Sequence, residues 1–134
     1  MDKTKLDAGL LLGGRALMSA IFIFAGYGKL AGYAATQGYM EAMGVPGGLL
    51  PLVIALELGG GLALLLGWQA RIAAFLLAGF SVVSALIFHF DFADQMQSIL
   101  FMKNLAMAGG LLYVTAVGAG AFAVRREAEP EVAL

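Results

Sequence analysis

Residues 48–67 read GLLPLVIALELGGGLALLLG, an almost unbroken apolar run that contains one ionisable residue, Glu57. An α-helix needs about 20 mostly apolar residues to cross the hydrocarbon core of a bilayer. The run is continuous and lacks the alternation of a half-buried strand. A helix also satisfies its own backbone hydrogen bonds in lipid, which a lone strand cannot do. We therefore predict that this stretch is a transmembrane helix.

Three further apolar stretches of similar length occur in the chain. They predict spans at about 10–30, 71–90 and 100–124, with 48–67 as the second of four. The composition agrees: 61% of the 134 residues are hydrophobic and 13% are charged, whereas soluble domains average about 25% charged. The sequence therefore predicts an all-α fold, with 1–134 forming a single integral membrane domain in a lipid bilayer.

Two segments outside the spans also carry information. Residues 31–44 are longer than a tight turn and place Tyr33 and Tyr39 among polar neighbours. This pattern predicts a short helix at the membrane interface. Residues 125–134 are rich in charge and include Pro130, so we expect a solvated, disordered tail.

The basic residues outside the hydrocarbon core predict the orientation in the membrane. With four spans, both termini and the turn at Arg71 lie on one side, and that side carries five cations: Lys3, Lys5, Arg71, Arg125 and Arg126. The other side carries only Lys29 and Lys103. Because the side richer in Lys and Arg faces the cytoplasm, we expect both termini to be cytoplasmic.

Two ionisable side chains lie deep in the predicted spans. Arg15 and Glu57 are on neighbouring antiparallel helices, and a charge at such a depth is costly unless it is paired or hydrated. We therefore predict an Arg15–Glu57 ion pair. Such a pair either clamps two helices together or polarises a ligand or handles protons; a neutral Glu57 bonded to backbone also fits the sequence.

The first span carries a mixed polar stripe on one face. Arg15, Ser19, Phe22, Gly26 and Lys29 recur at alternating steps of four and three residues, the period of one helix face. A face that mixes charge, hydroxyl and glycine is expected to point into the bundle. Its members Ser19, Gly26 and Lys29 are candidate ligand-binding residues, although Lys29 at the end of the span could also snorkel to the interface.

Further candidates come from the ends of the other spans. His89 ends the third span, and Lys103 and Asn104 open the fourth, on the same side as Lys29. These four residues could line one mouth, although a lone interfacial histidine more often anchors a hydrogen bond. Gly60 and Gly61 belong to a glycine triplet in the second span, which favours close helix packing or dimerisation or leaves room for a flat ligand.

Several classes of function are disfavoured by what the chain lacks. It has no cysteine and one histidine, so thiol chemistry and a closed metal or haem site are not expected. The net charge is −1 without a long basic run, so nucleic-acid binding is not expected either. The glycine runs lie within spans and not at a strand-to-helix turn, so they are not a nucleotide-binding fingerprint. We therefore expect no intrinsic cofactor.

Taken together, these residues resemble the DoxX family of small four-helix membrane proteins. The resemblance runs from about Gly13 to Gly120 and is carried by four patterns: Arg15–Leu30, Leu56–Gly61 followed by Gly67, His89, and Lys103-Asn104-Leu105. It implies an up-and-down bundle in the cytoplasmic (inner) membrane of a bacterium. It also implies a link to redox chemistry, since relatives include the small membrane subunit of a thiosulfate:quinone oxidoreductase. The positions of Arg15, Glu57 and Lys29 carry over from the family pattern.

The leading functional hypothesis is therefore an accessory subunit that binds a quinone-like ligand within the bundle and serves a membrane or peripheral redox protein. A stand-alone enzyme is not expected, because an electron-transfer step needs a cofactor. One alternative is a structural or assembly partner that acts through helix–helix contacts, including those of a homo-oligomer. A second alternative is a small transporter or channel.

Overall fold

The structure is a computed structural model that describes residues 3–125. It consists of helices joined by short connections. The helices are α1 (Lys3–Ala31), α2 (Tyr33–Ala42), α3 (Leu50–Ile54), α4 (Gly60–Leu66), α5 (Ala70–Phe88) and α6 (Gln95–Val117). A short 3₁₀ turn, Gly47–Leu49, precedes α3, and a π-helical turn, Ala55–Gly59, connects α3 to α4, so that these four pieces form one continuous second span.

Within residues 3–125, four segments are long and apolar enough to cross a membrane: Lys3–Ala31, Gly47–Leu66, Ala70–Phe88 and Gln95–Val117. The predicted all-α membrane bundle of four helices is confirmed. The first helix begins before the predicted residue 10, and α2 lies in the segment where a short helix was predicted.

The fourth span differs most from its predicted range of about 100–124, because the helix covers Gln95–Val117. Asp94 starts the helix early, since its Oδ1 accepts hydrogen bonds from the backbone N–H groups of Met96 (2.9 Å) and Gln97 (3.4 Å), as an N-cap does. Gly118 ends the helix with a φ of 82°, a conformation that glycine adopts without steric cost.

Residues 118–125 form what we call the C-terminal strap, of which 118–124 were predicted to be helical. The strap lies against the end of the second span: the N–H of Val124 donates to the C=O of Leu66 at 2.8 Å, and the N–H of Arg125 donates to the C=O of Gly67 at 3.4 Å. Of the predicted disordered tail, 125–134, only Arg125 belongs to the described residues.

The spans pack in sequence order. Helix α1 packs against the second span, the second span against α5, and α5 along its length against α6, whereas α1 and α6 share a smaller contact. Alanines on α5 allow this close approach: Ala70, Ala74, Ala78 and Ala85 are all buried. Small side chains let helix backbones approach one another, which favours association in lipid.

The outward surfaces are strongly apolar. Leu17 on α1 is 81% exposed, Phe24 is 76% exposed and Tyr113 on α6 is 77% exposed. Large apolar side chains at this level of exposure are stable when lipid is the solvent. The outer faces of these helices therefore contact the bilayer.

The bundle has two distinct ends. At one, which we call the α2 end, Met40 of α2 is buried with Leu50 and Ile54 of the second span. The opposite end, which we call the terminal end, contains the start of α1 and the C-terminal strap. Helix α2 therefore covers the start of the second span.

Candidate functional site

A cavity of about 430 Å³ opens among the helices at the α2 end. Its wall contains residues from α1, α2, the second span, α5 and α6, and most of them are apolar. Small-molecule sites commonly have volumes of about 300–1,000 Å³, with mainly apolar walls and a few placed polar groups. The cavity has the size and the character of such a site.

An ion pair lies on the cavity wall. Lys29 Nζ of α1 is 2.6 Å from Glu57 Oε1 of the second span, and the two side chains are 28% and 3% exposed. Glu57 belongs to the π-helical turn Ala55–Gly59. Such single-turn bulges inside α-helices are frequent at functional sites.

Gly26 sets the separation of the two helices beside this pair. A Cβ on Gly26 would lie 2.7 Å from Leu58 Cγ and 3.1 Å from the Leu58 backbone nitrogen. The absence of a side chain at Gly26 therefore allows the backbone of α1 to approach the turn that carries Glu57. Lys29, one helical turn further along α1, reaches the carboxylate from this position.

The predicted Arg15–Glu57 ion pair is wrong. Arg15 Nη1 donates to the backbone carbonyls of Leu64 (3.1 Å) and Leu65 (3.0 Å), and Nη2 donates to the carbonyl of Phe122 in the strap. The last carbonyls of a helix have no intrahelical partner and form the negative end of its dipole. Buried Arg15 is thus compensated by backbone at the terminal end.

The register of the two helices explains why this prediction failed. Arg15 of α1 is level with Gly67: a Cβ added at Gly67 would lie 2.7 Å from Arg15 Nη1. Further along α1, Gly26 is level with Leu58. Glu57 is ten residues before Gly67, or about 15 Å along a helix. Side chains of Arg and Glu cannot bridge that distance, so Glu57 meets Lys29.

The residues that were predicted to line one mouth do lie on one cavity. Lys29, His89, Lys103 and Asn104 all contribute to its wall. Asn104 Nδ2 donates to the C=O of Ser81 at 3.2 Å, which ties α6 to α5. His89 Nδ1 lies 2.8 Å from Gln97 Oε1, and because an amide oxygen only accepts, the ring donates from Nδ1.

Four other candidates for ligand binding do not line the cavity. Ser19 is fully buried and donates to the C=O of Ala16 at 3.1 Å. Gly26 lies against Leu58, Gly60 against Leu77, and Gly61 against Ile23, where an added Cβ would be 2.9 Å from Ile23 Cγ1. These residues face the bundle as predicted, but they serve helix packing.

Sequence reasoning missed several polar cavity residues: Thr36, Tyr39, Ser81 and Ser84. Ser81, Ser84 and Phe88 are spaced by three and four residues in an apolar span, which places them on one helix face. That spacing could have identified the serines. Tyr39 stacks on Phe88 with ring centroids 5.3 Å apart, and no pattern in the sequence connects these distant residues.

Comparisons with known proteins agree with this architecture. The sequence profile of the DoxX family matches residues 10–90, which is more than half of the chain. The chain belongs to the DoxX family. This DoxX protein is 52% identical over 120 residues to the inner membrane protein YqjF of Escherichia coli (strain K12), covering 90% of this chain and 92% of the relative.

A second DoxX relative is more distant. The chain is 32% identical over 124 residues to the inner membrane protein YphA of the same organism, covering 87% of this chain and 89% of YphA. No solved structure gives a significant match. Both relatives are named as inner membrane proteins, and the DoxX protein described here is accordingly a multi-pass inner membrane protein.

Proposed function

We propose that this DoxX protein is an accessory subunit of a redox system in the inner membrane and that it binds a quinone-like lipophilic molecule in its cavity. The observation that carries the proposal is the Lys29–Glu57 pair on the wall of a mainly apolar cavity. The redox part comes from the family resemblance, and the ligand part comes from this geometry.

The energetics of the pair support a role in ligand binding. Burying two charges costs desolvation energy that the attraction between them only partly offsets, so a buried ion pair adds little net stability. Ionisable groups inside membrane spans commonly mark sites of function. Lys29 supplies hydrogen-bond donors beside an acceptor, Glu57, and these are the groups that would orient the polar part of a ligand.

The apolar wall supports a flat, lipophilic ligand. Phe22, Phe80, Phe88 and Tyr39 contribute aromatic rings to the cavity. Aromatic rings favour offset-stacked or edge-to-face contacts with another ring. A quinone head combines such a ring with carbonyl oxygens that can accept from Lys29, and its isoprenoid tail can extend into lipid.

The test is a titration of the protein in lipid nanodiscs with ubiquinone and menaquinone analogues. We expect saturable binding that is weakened at least about tenfold by Lys29→Met, which removes the charged donor to a carbonyl oxygen of the ligand. Glu57→Gln should weaken it by a smaller factor, because it removes only the anion that holds Lys29 in place. Glu41→Gln is the matched control, because Glu41 is exposed on α2 and is not a cavity residue. The absence of saturable binding, or equal binding by all variants, would contradict the proposal.

We also propose that both termini face the cytoplasm, which places the cavity in the periplasmic half of the membrane. The support is the excess of Lys and Arg on the terminal side. Because the chain has no cysteine, single cysteines at Ala93 and at Thr4 give a direct test. A membrane-impermeant maleimide should label Ala93→Cys in intact cells and Thr4→Cys only after the cells are opened, and the reverse pattern would contradict this orientation.

One observation favours an assembly role as a second candidate. Gly9 and Gly13 are exposed on α1, and no atom lies within 4 Å of a Cβ added at either residue. Open small-residue faces of this kind suit a partner helix, either of a redox protein or of a second copy. Native mass spectrometry of the extracted protein should then show a partner that Gly13→Leu releases, whereas a purely monomeric species would exclude this role.

A further inference from the structure

The carboxylate of Glu57 has unused capacity for hydrogen bonding. An ionised carboxylate has about four acceptor positions on its two oxygens. Within residues 3–125, Lys29 Nζ is the only side-chain group that pairs with Glu57, and no hydrogen bond from another residue reaches its buried Oε1. Because Glu57 is only 2% exposed yet lies on the cavity wall, a molecule in the cavity is the available source of a further donor.

The ammonium group of Lys29 is in the complementary situation. An ammonium carries three donors, and Glu57 is the only acceptor that the described residues give to Lys29. The pair therefore presents a free acceptor beside free donors. Its net charge is zero, so the pair itself offers a charged ligand no unopposed counter-charge. The other ammonium on the wall, that of Lys103, belongs to an exposed residue.

Three other polar side chains on the wall are already engaged with the protein. Thr36 donates to the C=O of Gly32 at 2.9 Å, Ser81 to the C=O of Leu77 at 2.8 Å, and Asn104 to the C=O of Ser81 at 3.2 Å. These donors are satisfied without a ligand. Unlike these three, the Lys29–Glu57 pair keeps both donors and an acceptor for an incoming polar group.

We propose that the cavity prefers an uncharged ring that bears a hydroxyl group, the quinol or phenol class, over the corresponding quinone. The hydroxyl hydrogen bonds to the Glu57 carboxylate, and the hydroxyl oxygen accepts from the Lys29 ammonium. A quinone carbonyl can only accept, so it satisfies Lys29 and leaves Glu57 without its donor. This inference rests on the proposed function, since it specifies which form of the ligand that same cavity binds.

The experiment compares three matched probes: menadiol, its oxidised form menadione, and menadiol dimethyl ether. The rings are nearly the same size, but only menadiol carries hydroxyl donors. Affinities are measured by calorimetric titration of the protein in nanodiscs, without oxygen. We expect menadiol to bind about tenfold or more tightly than the dimethyl ether, the ratio that one hydrogen bond to a charged acceptor gives, with menadione between them.

Variants test whether the pair causes this preference. In Lys29→Met/Glu57→Met, no unpaired charge is left, so the fold is expected to tolerate the change, and the ratio of menadiol to dimethyl ether should fall to about one. In Glu57→Gln, a neutral acceptor remains and the ratio should fall only in part, because charge-assisted hydrogen bonds are roughly twice as strong as neutral ones. Glu41→Gln should keep the full ratio.

The outcomes separate this inference from the proposed function. If all three probes bind the unmodified protein equally, the preference for a hydroxyl is wrong and the proposed ligand class stands. If none of the probes and no longer-chain quinone binds, both are wrong. Tighter binding of a fatty acid that Lys103→Met leaves unchanged would also overturn the inference, because the pair would then not act as a neutral unit.

Discussion

Lys29 and Glu57 lie on neighbouring antiparallel helices and form an ion pair, with Nζ 2.6 Å from Oε1, on the wall of the cavity. The pair is buried from one side and open to the cavity from the other. Its contributions to stability and to binding can therefore be separated, because a neutral double variant keeps the packing and loses the polar groups.

The two members of the pair should not contribute additively to stability. Lys29→Met leaves a buried carboxylate without its cation and should reduce the free energy of unfolding by about 3 kcal/mol, the lower end for a broken buried pair, because Lys29 is partly exposed. The double variant Lys29→Met/Glu57→Met should be close to the unmodified protein. Unfolding by SDS in mixed micelles measures both. If the double variant is no more stable than Lys29→Met, the loss in Lys29→Met does not come from an unpaired Glu57 carboxylate.

Arg15 should contribute strongly to the free energy of unfolding, and this contribution should not depend on Glu57. Arg15→Met removes the donors to Leu64, Leu65 and Phe122 and should free the C-terminal strap. The expected loss is about 3 kcal/mol, from three charge-assisted hydrogen bonds each worth about 1 kcal/mol or more. Trp68, the one tryptophan of the chain, adjoins the strap contact at Gly67 and should report its release by fluorescence.

Two controls make this prediction specific. Arg15→Lys should restore little, since an ammonium lacks the planar fork that reaches three carbonyls. Adding Glu57→Gln to Arg15→Met should not restore stability, because the two residues are not partners. Recovery in that double variant would mean that Arg15 and Glu57 do form a pair.

Any side chain at Gly67 should destabilise the protein. Its φ is 76°, and a Cβ there would lie 2.5 Å from Ala123 Cβ of the strap and 2.7 Å from Arg15 Nη1. Gly67→Ala should therefore lower the free energy of unfolding by about 1–3 kcal/mol through strain and displacement. Gly13→Ala is the matched control: it meets open space in α1 and should be neutral or stabilise by up to about 1 kcal/mol. Equal losses at both positions would contradict this account.

Asp94 should determine where the fourth span starts. Asp94→Ala removes the side chain that accepts from Met96 and Gln97 and should cost about 1 kcal/mol, the usual value of an N-cap. Asp94→Asn should retain most of the stability, since asparagine caps equally well. Hydrogen exchange of the first turn of α6 should be faster in Asp94→Ala than in Asp94→Asn, and identical exchange in the two would exclude a capping role.

Much of the fold could be predicted from hydropathy alone, because lipid requires long apolar helices and these are visible in the sequence. The end of α6 could not be predicted in this way: residues 118–124 are as apolar as a helix, and only the positive φ of Gly118 and Gly120 shows that the chain leaves the helix there. Hydropathy does not encode backbone conformation at a glycine.

Several polar residues of the cavity could be predicted from the sequence, but the partner of Glu57 could not. Lys29, His89, Lys103 and Asn104 were expected on one side, and they share the cavity. The partner of Glu57 depended on the relative register of two helices, which close contacts such as Gly26 with Leu58 determine. Such contacts involve residues far apart in sequence, so the depth of Arg15 and Glu57 in their spans was not sufficient to pair them correctly.

The contact between Arg15 and the strap has a consequence for biosynthesis. The guanidinium emerges from the ribosome early, but one of its acceptors, the carbonyl of Phe122, follows 107 residues later. Until then Nη2 of Arg15 needs another acceptor, such as water. This end of the first helix therefore stays hydrated while the later spans insert. Docking of the strap, and not insertion of the last span, is therefore the step at which this end of the molecule closes.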